Sequence, residues 1–400
     1  MDRILIIGVG WEQIPLVKKA KEKGLYVIVT TWWDEGQIPA DKIYKVDSRD
    51  LNEIDKIICK EHPDYITADE SDTSMYAVAF FSEKYNFYGP KLKTQTITNN
   101  KFLQRECVRK TSVLQPEYQL CWNLDMARNF AEKIGYPVMI KPIDNCGSIG
   151  VSKVHGEEEL KDMWLRGVEN SYSRECLVEK CIDGDVITAD GFCDNAGFEF
   201  IAASNKDMYP ENDNVAKVLY YPGKFDSKTL KKIRENCEIV ANAVGLDFGY
   251  AHIEFIIERE TNAMYLVEVA NRGGGVYISN TILQEITGVD YSDALIDLAM
   301  GKTVTAKCGQ RYIKKAMLYF MELKENELEI SNEREYPKMC QIIHINEKKD
   351  QSNVESEASA GRRGVAVLVG DSFEAMMSEG RSLEEKFANC KEEYFWMKEK

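Results

Sequence analysis

At 400 residues the chain exceeds what one compact core organises, which excludes a small binding module and predicts two or three domains with ligand sites where they meet. Its 51 basic and 66 acidic side chains leave a net charge of −15, which repels a phosphate backbone and excludes sequence-independent nucleic-acid binding; phosphate must be met by a few placed groups. Eleven cysteines without a C-x-x-C pair, apolar runs far shorter than a bilayer span and no signal-peptide pattern after Met1 predict a reduced, cytoplasmic protein with no membrane partner.

In chain order, residues 3–10 predict a strand, about 12–23 a helix, 26–32 a strand, 51–61 a helix and 64–68 a strand. This alternation predicts an open parallel α/β domain ending near Gly89 and Pro90. The first turn, Gly8-Val9-Gly10-Trp11-Glu12-Gln13, has two of the three glycines of a dinucleotide fingerprint, with Gln13 in place of the third; it is either a tight strand-to-helix turn or a site for a small anion. Residues 91–302 combine glycine-rich turns with β-branched strands and predict antiparallel sheet in an α+β region. Short strands at 311–323, a polar loop at 347–364, a strand at 362–370 and a helix at 372–387 interrupted by Gly380 complete the pattern.

Four places carry chemistry. Residues 136–154 put Lys141 at a strand end before Gly147, Ser148 and Gly150, either a backbone nest for phosphate oxygens or an ordinary hairpin loop. Residues 175–192 read as a hairpin turning at Asp183-Gly184, with Glu179 and Ile182 before the turn and Asp185 beyond it. Strands 250–258 and 264–272, with a turn centred on Thr261, set Glu254 opposite Glu268. Facing carboxylates repel unless they share a proton or a cation, and oxygen-only ligation suits Mg²⁺; the alternative is a solvated sheet face.

Alternation places Leu266, Ala270, Ile256, His252 and Arg272 on the face of the acids, and Ile253, Phe255, Val267 and Val269 on the other. His252 is either packed or a ligand, and Gly273-Gly274-Gly275 either reverses the chain or lets a substrate carboxylate approach. The fourth place is Asp69, Glu70, Ser71 and Asp72, which follow a strand end and either cap a helix or take an ammonium group. Lys206 and Lys217 bracket a polar loop at 208–216.

Taken in order, these segments resemble the ATP-grasp superfamily of carboxylate–amine ligases across nearly the whole chain. The resemblance implies an α/β and α+β ATP-grasp fold: a Rossmann-like pre-ATP-grasp domain at 1–92, an ATP-grasp domain at 93–305 with a lid at about 126–187, and a C-terminal α+β region at 306–400. It implies ATP and Mg²⁺ or Mn²⁺ as cofactors. Lys101 and Lys141 then meet the phosphates under a lid loop containing Gly147, Ser148 and Gly150. Glu179, Lys180 and Ile182 follow the adenine, Asp185 takes the ribose hydroxyls, Glu254 and Glu268 hold metal, and Arg272 is the catalytic residue at the oxyanion.

The usual Glu-x-Asn-x-Arg pattern is here Glu268-Val269-Ala270-Asn271-Arg272. A second metal is therefore held by fewer oxygens or by Asn271, and His252, Gly273 and Gly274 are further substrate or second-metal candidates. The variant leans toward L-amino-acid (dipeptide) ligases. The implied reaction joins a small-molecule carboxylate to an amine through an acyl phosphate, releasing ADP and phosphate, in a homodimer. The alternatives are a carbamoyl-phosphate-synthase-like or carboxylase-type enzyme using bicarbonate, and a non-catalytic ATP sensor.

Overall fold

The computed structural model describes residues 1–33, 36, 38–209, 212–305, 312–322, 338–345, 364–388 and 394–398. The first unit contains β1 (Arg3–Ile6), α1 (Ile14–Glu22), β2 (Tyr26–Thr31), β3 (Lys42–Lys45), α2 (Leu51–Glu61), β4 (Tyr65–Thr67) and α3 (Asp72–Tyr85). Its parallel sheet has the order β3-β2-β1-β4. Strands β1 and β2 are apolar because helices cover both faces of a parallel sheet. Strand β3, too short and too polar to announce itself, is the half-buried edge. Gln13 accounts for the incomplete fingerprint: its Oε1 accepts the Gly10 N–H at 2.8 Å, so the side chain closes the turn itself.

The second unit contains α4 (Leu92–Thr98), α5 (Lys101–Val108), β5 (Tyr118–Cys121), α6 (Leu124–Ile134), β6 (Val138–Pro142), β7 (Ser152–Val154), α7 (Glu157–Glu169) and β8 (Cys176–Lys180). Its antiparallel sheet, β5-β8-β6-β7, is sealed on one face by α6 and α7 through Phe130, Trp164, Ile140 and Val178. Asn123 accepts the Met126 N–H and starts α6.

The third unit follows with β9 (Gly184–Asp194), β10 (Gly197–Tyr209), β11 (Asn212–Tyr221), α8 (Ser227–Val244), β12 (Gly249–Glu258), β13 (Met264–Ala270), α9 (Leu283–Thr287), α10 (Tyr291–Ala299), β14 (Lys315–Met321), β15 (Cys340–Ile345), β16 (Gly364–Gly370), α11 (Phe373–Lys386) and β17 (Tyr394–Met397). All nine strands form one antiparallel sheet ordered β13-β12-β9-β10-β11-β14-β16-β15-β17. The strands after residue 305 thus extend the sheet of the central region instead of forming a sheet of their own.

Two expectations change. The segment 175–192 is no hairpin: β8 pairs with β5 and β6, whereas β9 pairs with β10 and β12. The chain crosses from the second unit to the third at Asp183-Gly184, and a strand–turn–strand pattern looks the same locally in both cases. Helix α11 runs through Gly380 without interruption, because the glycine makes room for the Tyr319 ring; a Cβ there would lie 2.9 Å from Tyr319 Cδ2. The polar stretch 347–363 and part of the loop at 208–216 lie outside the described residues. Among the described residues no helix is long and apolar enough to cross a membrane.

Candidate active site

The three units meet around a cleft of about 690 Å³. β12 and β13 pair with Glu254 directly opposite Glu268, as the turn length predicts. A bulge follows at once: Phe255 pairs with Leu266, which leaves Val267 as the extra residue. The bulge puts Leu266 in the buried cluster of Ile253, Phe255 and Val269, and Val267, expected on that far face, borders the cleft beside it.

Each of the two carboxylates has its own lysine. Lys206 Nζ lies 2.5 Å from Glu254 Oε1, and Lys101 Nζ lies 3.0 Å from Glu268 Oε1. Burial pushes the Glu254 carboxyl up, but the Lys206 ammonium and His252 outweigh it and hold it at about 2. Burial likewise works against the Lys101 ammonium, and Glu268 outweighs it, leaving that group above its ordinary value. In the sequence Lys206 marks only the rim of a polar loop; strand pairing across β9 and β12 brings it to Glu254, whereas Lys217 pairs with Glu322 at 2.7 Å, away from the carboxylates.

Lys141 on β6 meets Glu179 on the adjacent β8 at 2.6 Å. Arg105, fully buried on α5, donates from Nε to the other Glu179 oxygen at 2.6 Å and from Nη2 to the Val267 carbonyl at 2.8 Å. Desolvation raises the Glu179 carboxyl, but Arg105 and Lys141 outweigh it and hold it at about 2. Both Glu179 oxygens are committed to cations, and Glu179 lines the cleft together with the chain at Lys180–Ile182. Arg105 was missed because its role depends on a partner 74 residues away. Asp185 sits at the cleft mouth, largely exposed and paired with Arg259 at 2.8 Å.

The loop after β6 contains three left-handed residues, with φ of +65° at Gly147, +61° at Ser148 and +75° at Gly150, and its turns are closed by Ile149 N–H to the Cys146 carbonyl at 3.3 Å and Val151 N–H to the Ser148 carbonyl at 3.2 Å. Lys101 Nζ anchors the base of this loop by donating to the Asn145 carbonyl at 2.6 Å. Gly147 faces open space, whereas a Cβ on Gly150 would lie 2.6 Å from Asn170 Cβ.

Arg272 is held from the first unit: its Nε lies 3.0 Å from Asp72 Oδ1. Burial opposes its charge, and Asp72 outweighs burial, raising the pKa. Asn271 points the other way, as alternation requires, and donates from Nδ2 to the Phe248 and Tyr250 carbonyls at 2.8 and 3.0 Å. It does not line the cleft, which corrects its candidacy as a metal ligand. Gly273 donates its N–H to Asp69 Oδ1 at 2.8 Å, and Gly274 leaves room for the His252 ring, since a Cβ would lie 2.9 Å from Nδ1. Of the three glycines only Gly275 lines the cleft.

The acids after β4 take separate roles. Ser71 caps α3, Asp72 holds Arg272, and Asp69 accepts from Ser279 Oγ at 2.7 Å. Desolvation raises Asp69 to about 6. Glu70, in the left-handed region at φ +58°, accepts from Ser279 Oγ at 2.8 Å and Asn280 Nδ2 at 3.0 Å. Burial, then the charges of Glu12 and Asp69, raise its pKa well above the usual range. Glu12, which the sequence did not single out, accepts the Val276 N–H at 3.2 Å and lines the cleft with Glu70.

This donor set fits a triphosphate with a divalent cation. Two carboxylates in register supply hard oxygens, and Lys101, Lys141, Lys206 and Arg272 line the same cleft beside the glycine loop. Among the described residues no group of three or more His, Cys, Asp or Glu side chains is placed to hold a metal ion.

Residues 134–280 match the family model for an ATP-grasp domain. The match covers less than half of the chain. The matched part of that domain includes Lys141, the glycine loop, Glu179, Glu254, Glu268 and Arg272 and leaves Lys101 outside. Over 277 residues, 64% of this chain, the sequence is 27% identical to the formate-dependent phosphoribosylglycinamide formyltransferase of Wigglesworthia glossinidia brevipalpis, and the match spans 66% of that protein, just under two thirds of its length. The ATP-grasp fold extends over the whole chain. An L-amino acid ligase from Bacillus licheniformis superposes with a TM-score of 0.79 at 16% identity, covering 100% of this chain and 99% of that one. A phosphoribosylglycinamide synthetase from Anaerococcus prevotii superposes at 0.73 with 20% identity, covering 99% and 100%.

Proposed function

We propose that the protein is an ADP-forming, ATP-dependent ligase that joins a small-molecule carboxylate to an amine. The observation that carries this reading is the pair Glu254 and Glu268, opposed in register and each neutralised by its own lysine, in a cleft that also presents Lys141, Arg272 and the left-handed loop. Glu254 and Glu268 would hold Mg²⁺, which when bound neutralises phosphate charge and orients the transferring group.

The remaining work falls to the chain itself. Lys101, Lys141 and the 147–150 loop bind and align the triphosphate so that the carboxylate substrate attacks the γ-phosphorus, giving an acyl phosphate and ADP. Attack of the amine on the acyl carbon then expels phosphate, and Arg272, fixed by Asp72, stabilises the tetrahedral oxyanion. Glu12 and Glu70 form an acidic corner of the cleft suited to an ammonium group, which must lose its proton before attack. The lid sheet excludes the water that would otherwise hydrolyse the acyl phosphate. The variant Glu268-Val269-Ala270-Asn271-Arg272 and the full-length superposition on an L-amino acid ligase support amino acids as substrates, and Asp185 remains the candidate for the ribose hydroxyls.

The test is an ADP-release screen over paired amino acids, with formate and bicarbonate among the carboxylates and mass spectrometry of the products. Amine-dependent ADP release with an amide product, reduced about 10²- to 10³-fold in Arg272→Ala at unchanged circular dichroism, is expected. ATP binding without turnover across the panel overturns the assignment.

A further inference from the structure

We propose that Gln104 and Arg105 are positioning residues for Glu268: from one turn of α5 they hold the main chain on both sides of it and so set where its carboxylate meets the metal and the nucleotide. This rests on the reading of Glu268 as a metal-binding residue.

Strand β13 is the last of its sheet, so one of its edges has no partner strand. The peptide groups on that edge are taken by α5 and the chain that follows it. Leu266 donates its N–H to the Leu114 carbonyl at 2.9 Å, Val269 donates its N–H to Gln104 Oε1 at 3.0 Å, and the Val267 carbonyl accepts from Arg105 Nη2 at 2.8 Å. In a regular strand the N–H groups facing one edge recur every second residue. Leu266 and Val269 are three apart, and the extra residue of the bulge, Val267, accounts for the odd step. The residue enclosed by the two contacts from α5 is Glu268.

Gln104 and Arg105 are both fully buried, and each is aimed by a second bond. Gln104 Nε2 donates to the Thr98 carbonyl at 2.6 Å, and Arg105 Nε donates to Glu179. With Lys101 Nζ on the Glu268 carboxylate, one helix touches both the side chain and the flanking peptides of the same residue. The same helix grips the lid sheet: Lys101 donates its N–H to the Ile143 carbonyl at 2.8 Å, and Arg105 reaches Lys141 through Glu179. Helix α5 thereby fixes the spacing between Glu268 and Lys141. Packing α5 against β13 would need only apolar side chains; two buried hydrogen-bonding ones directed at the peptides on either side of one carboxylate serve its placement. Neither Gln104 nor Arg105 lines the cleft, so both act through Glu268. Supports of this kind behind a metal-binding side chain are typically worth about 10- to 100-fold in metal affinity.

The test is a double-mutant cycle on the full-length protein, read as the affinity for Mn²⁺ at saturating ADP by calorimetry. Gln104→Met, which keeps length and burial and removes the acceptor for Val269, is expected to weaken Mn²⁺ binding about 10- to 100-fold. Arg105→Lys, which keeps a cation for Glu179 and gives up the fork that also reaches Val267, is expected to act in the same direction. Neither is expected to add to the loss already present in Glu268→Gln, because a support has no effect on metal once the carboxylate it places is gone. Melting curves set each titration below unfolding, and if Gln104→Met does not fold, the cycle with Arg105→Lys decides. Unchanged Mn²⁺ affinity in the folded variants, or a loss of equal size with and without the Glu268 carboxylate, overturns the inference and leaves Glu268 standing as a metal-binding residue. Mn²⁺ affinity that is unchanged in Glu268→Gln itself overturns the reading of the glutamate pair and the inference with it.

Discussion

Glu254 and Glu268 face each other across two paired strands, and each has recruited a lysine from a different unit: Lys206 from β10 and Lys101 from the start of α5. Both lysines occupy oxygens that a cation needs. Lys206→Met is therefore expected to tighten Mn²⁺ binding in the absence of nucleotide, because an ammonium no longer competes for Glu254, and to weaken ADP binding by removing one of the positive charges that line the cleft. Paired calorimetric titrations check this; unchanged affinity for both ligands contradicts it.

The Arg105–Glu179–Lys141 group sets a pH dependence with a defined sign. Glu179 is depressed from 4.5 to about 2, so the stability it contributes is present above 4.5 and is lost as pH falls toward 2. Asp69, raised from 3.8 to about 6, acts oppositely: its contribution is present below 3.8 and is lost as pH rises through 6. Urea unfolding at pH 7 and pH 3 is expected to show a smaller acid loss in Glu179→Gln than in the wild type. Arg105→Met, which removes one of the two cations on a buried carboxylate, is expected to destabilise the protein at pH 7.

The two left-handed glycines of the 147–150 loop separate function from packing. Gly147→Ala is expected to cost about 1–2 kcal/mol of loop geometry and to show mainly as a raised KM for ATP, since the position faces open space. Gly150→Ala adds a collision with Asn170 and is expected to lower the melting temperature as well. Equal melting shifts in the two variants contradict this division.

Gly380→Ala reverses the usual helix rule. Alanine improves helix propensity by about 1 kcal/mol, yet the Cβ would enter the Tyr319 ring, and overpacking costs about 1–3 kcal/mol. Net destabilisation is expected in thermal unfolding, and relief by Tyr319→Leu tests the cause.

These particulars mark what a sequence carries. The opposition of Glu254 and Glu268 is legible because a short turn between two strands fixes the antiparallel register. The bulge at Val267 is not, since Leu266 and Val267 are equally apolar and either fits the core. Lys141 announces itself by the glycines beside it; Lys206 and Arg105 do not, because partners 48 and 74 residues away leave no periodicity. The segment of Glu179 is legible, whereas its ion pairs with Arg105 and Lys141 are tertiary. The crossing from β8 to β9 reads as a hairpin because only the identity of the neighbouring strands, a tertiary property, distinguishes the two.

The nine-stranded sheet makes the last quarter of the chain inseparable from the chemistry. β11 pairs on one side with β10 and on the other with β14, from Val218↔Tyr319 to Tyr221↔Ala316. Ending the chain at 305 would strip β11 of that neighbour and expose a row of unpaired amides on an edge that natural sheets shield against self-association. Lys206 lies opposite Leu219 of β11, so the exposed seam would lie one strand from the lysine that holds Glu254. The C-terminal strands are thus a selvage: they finish the fabric into which the site is woven.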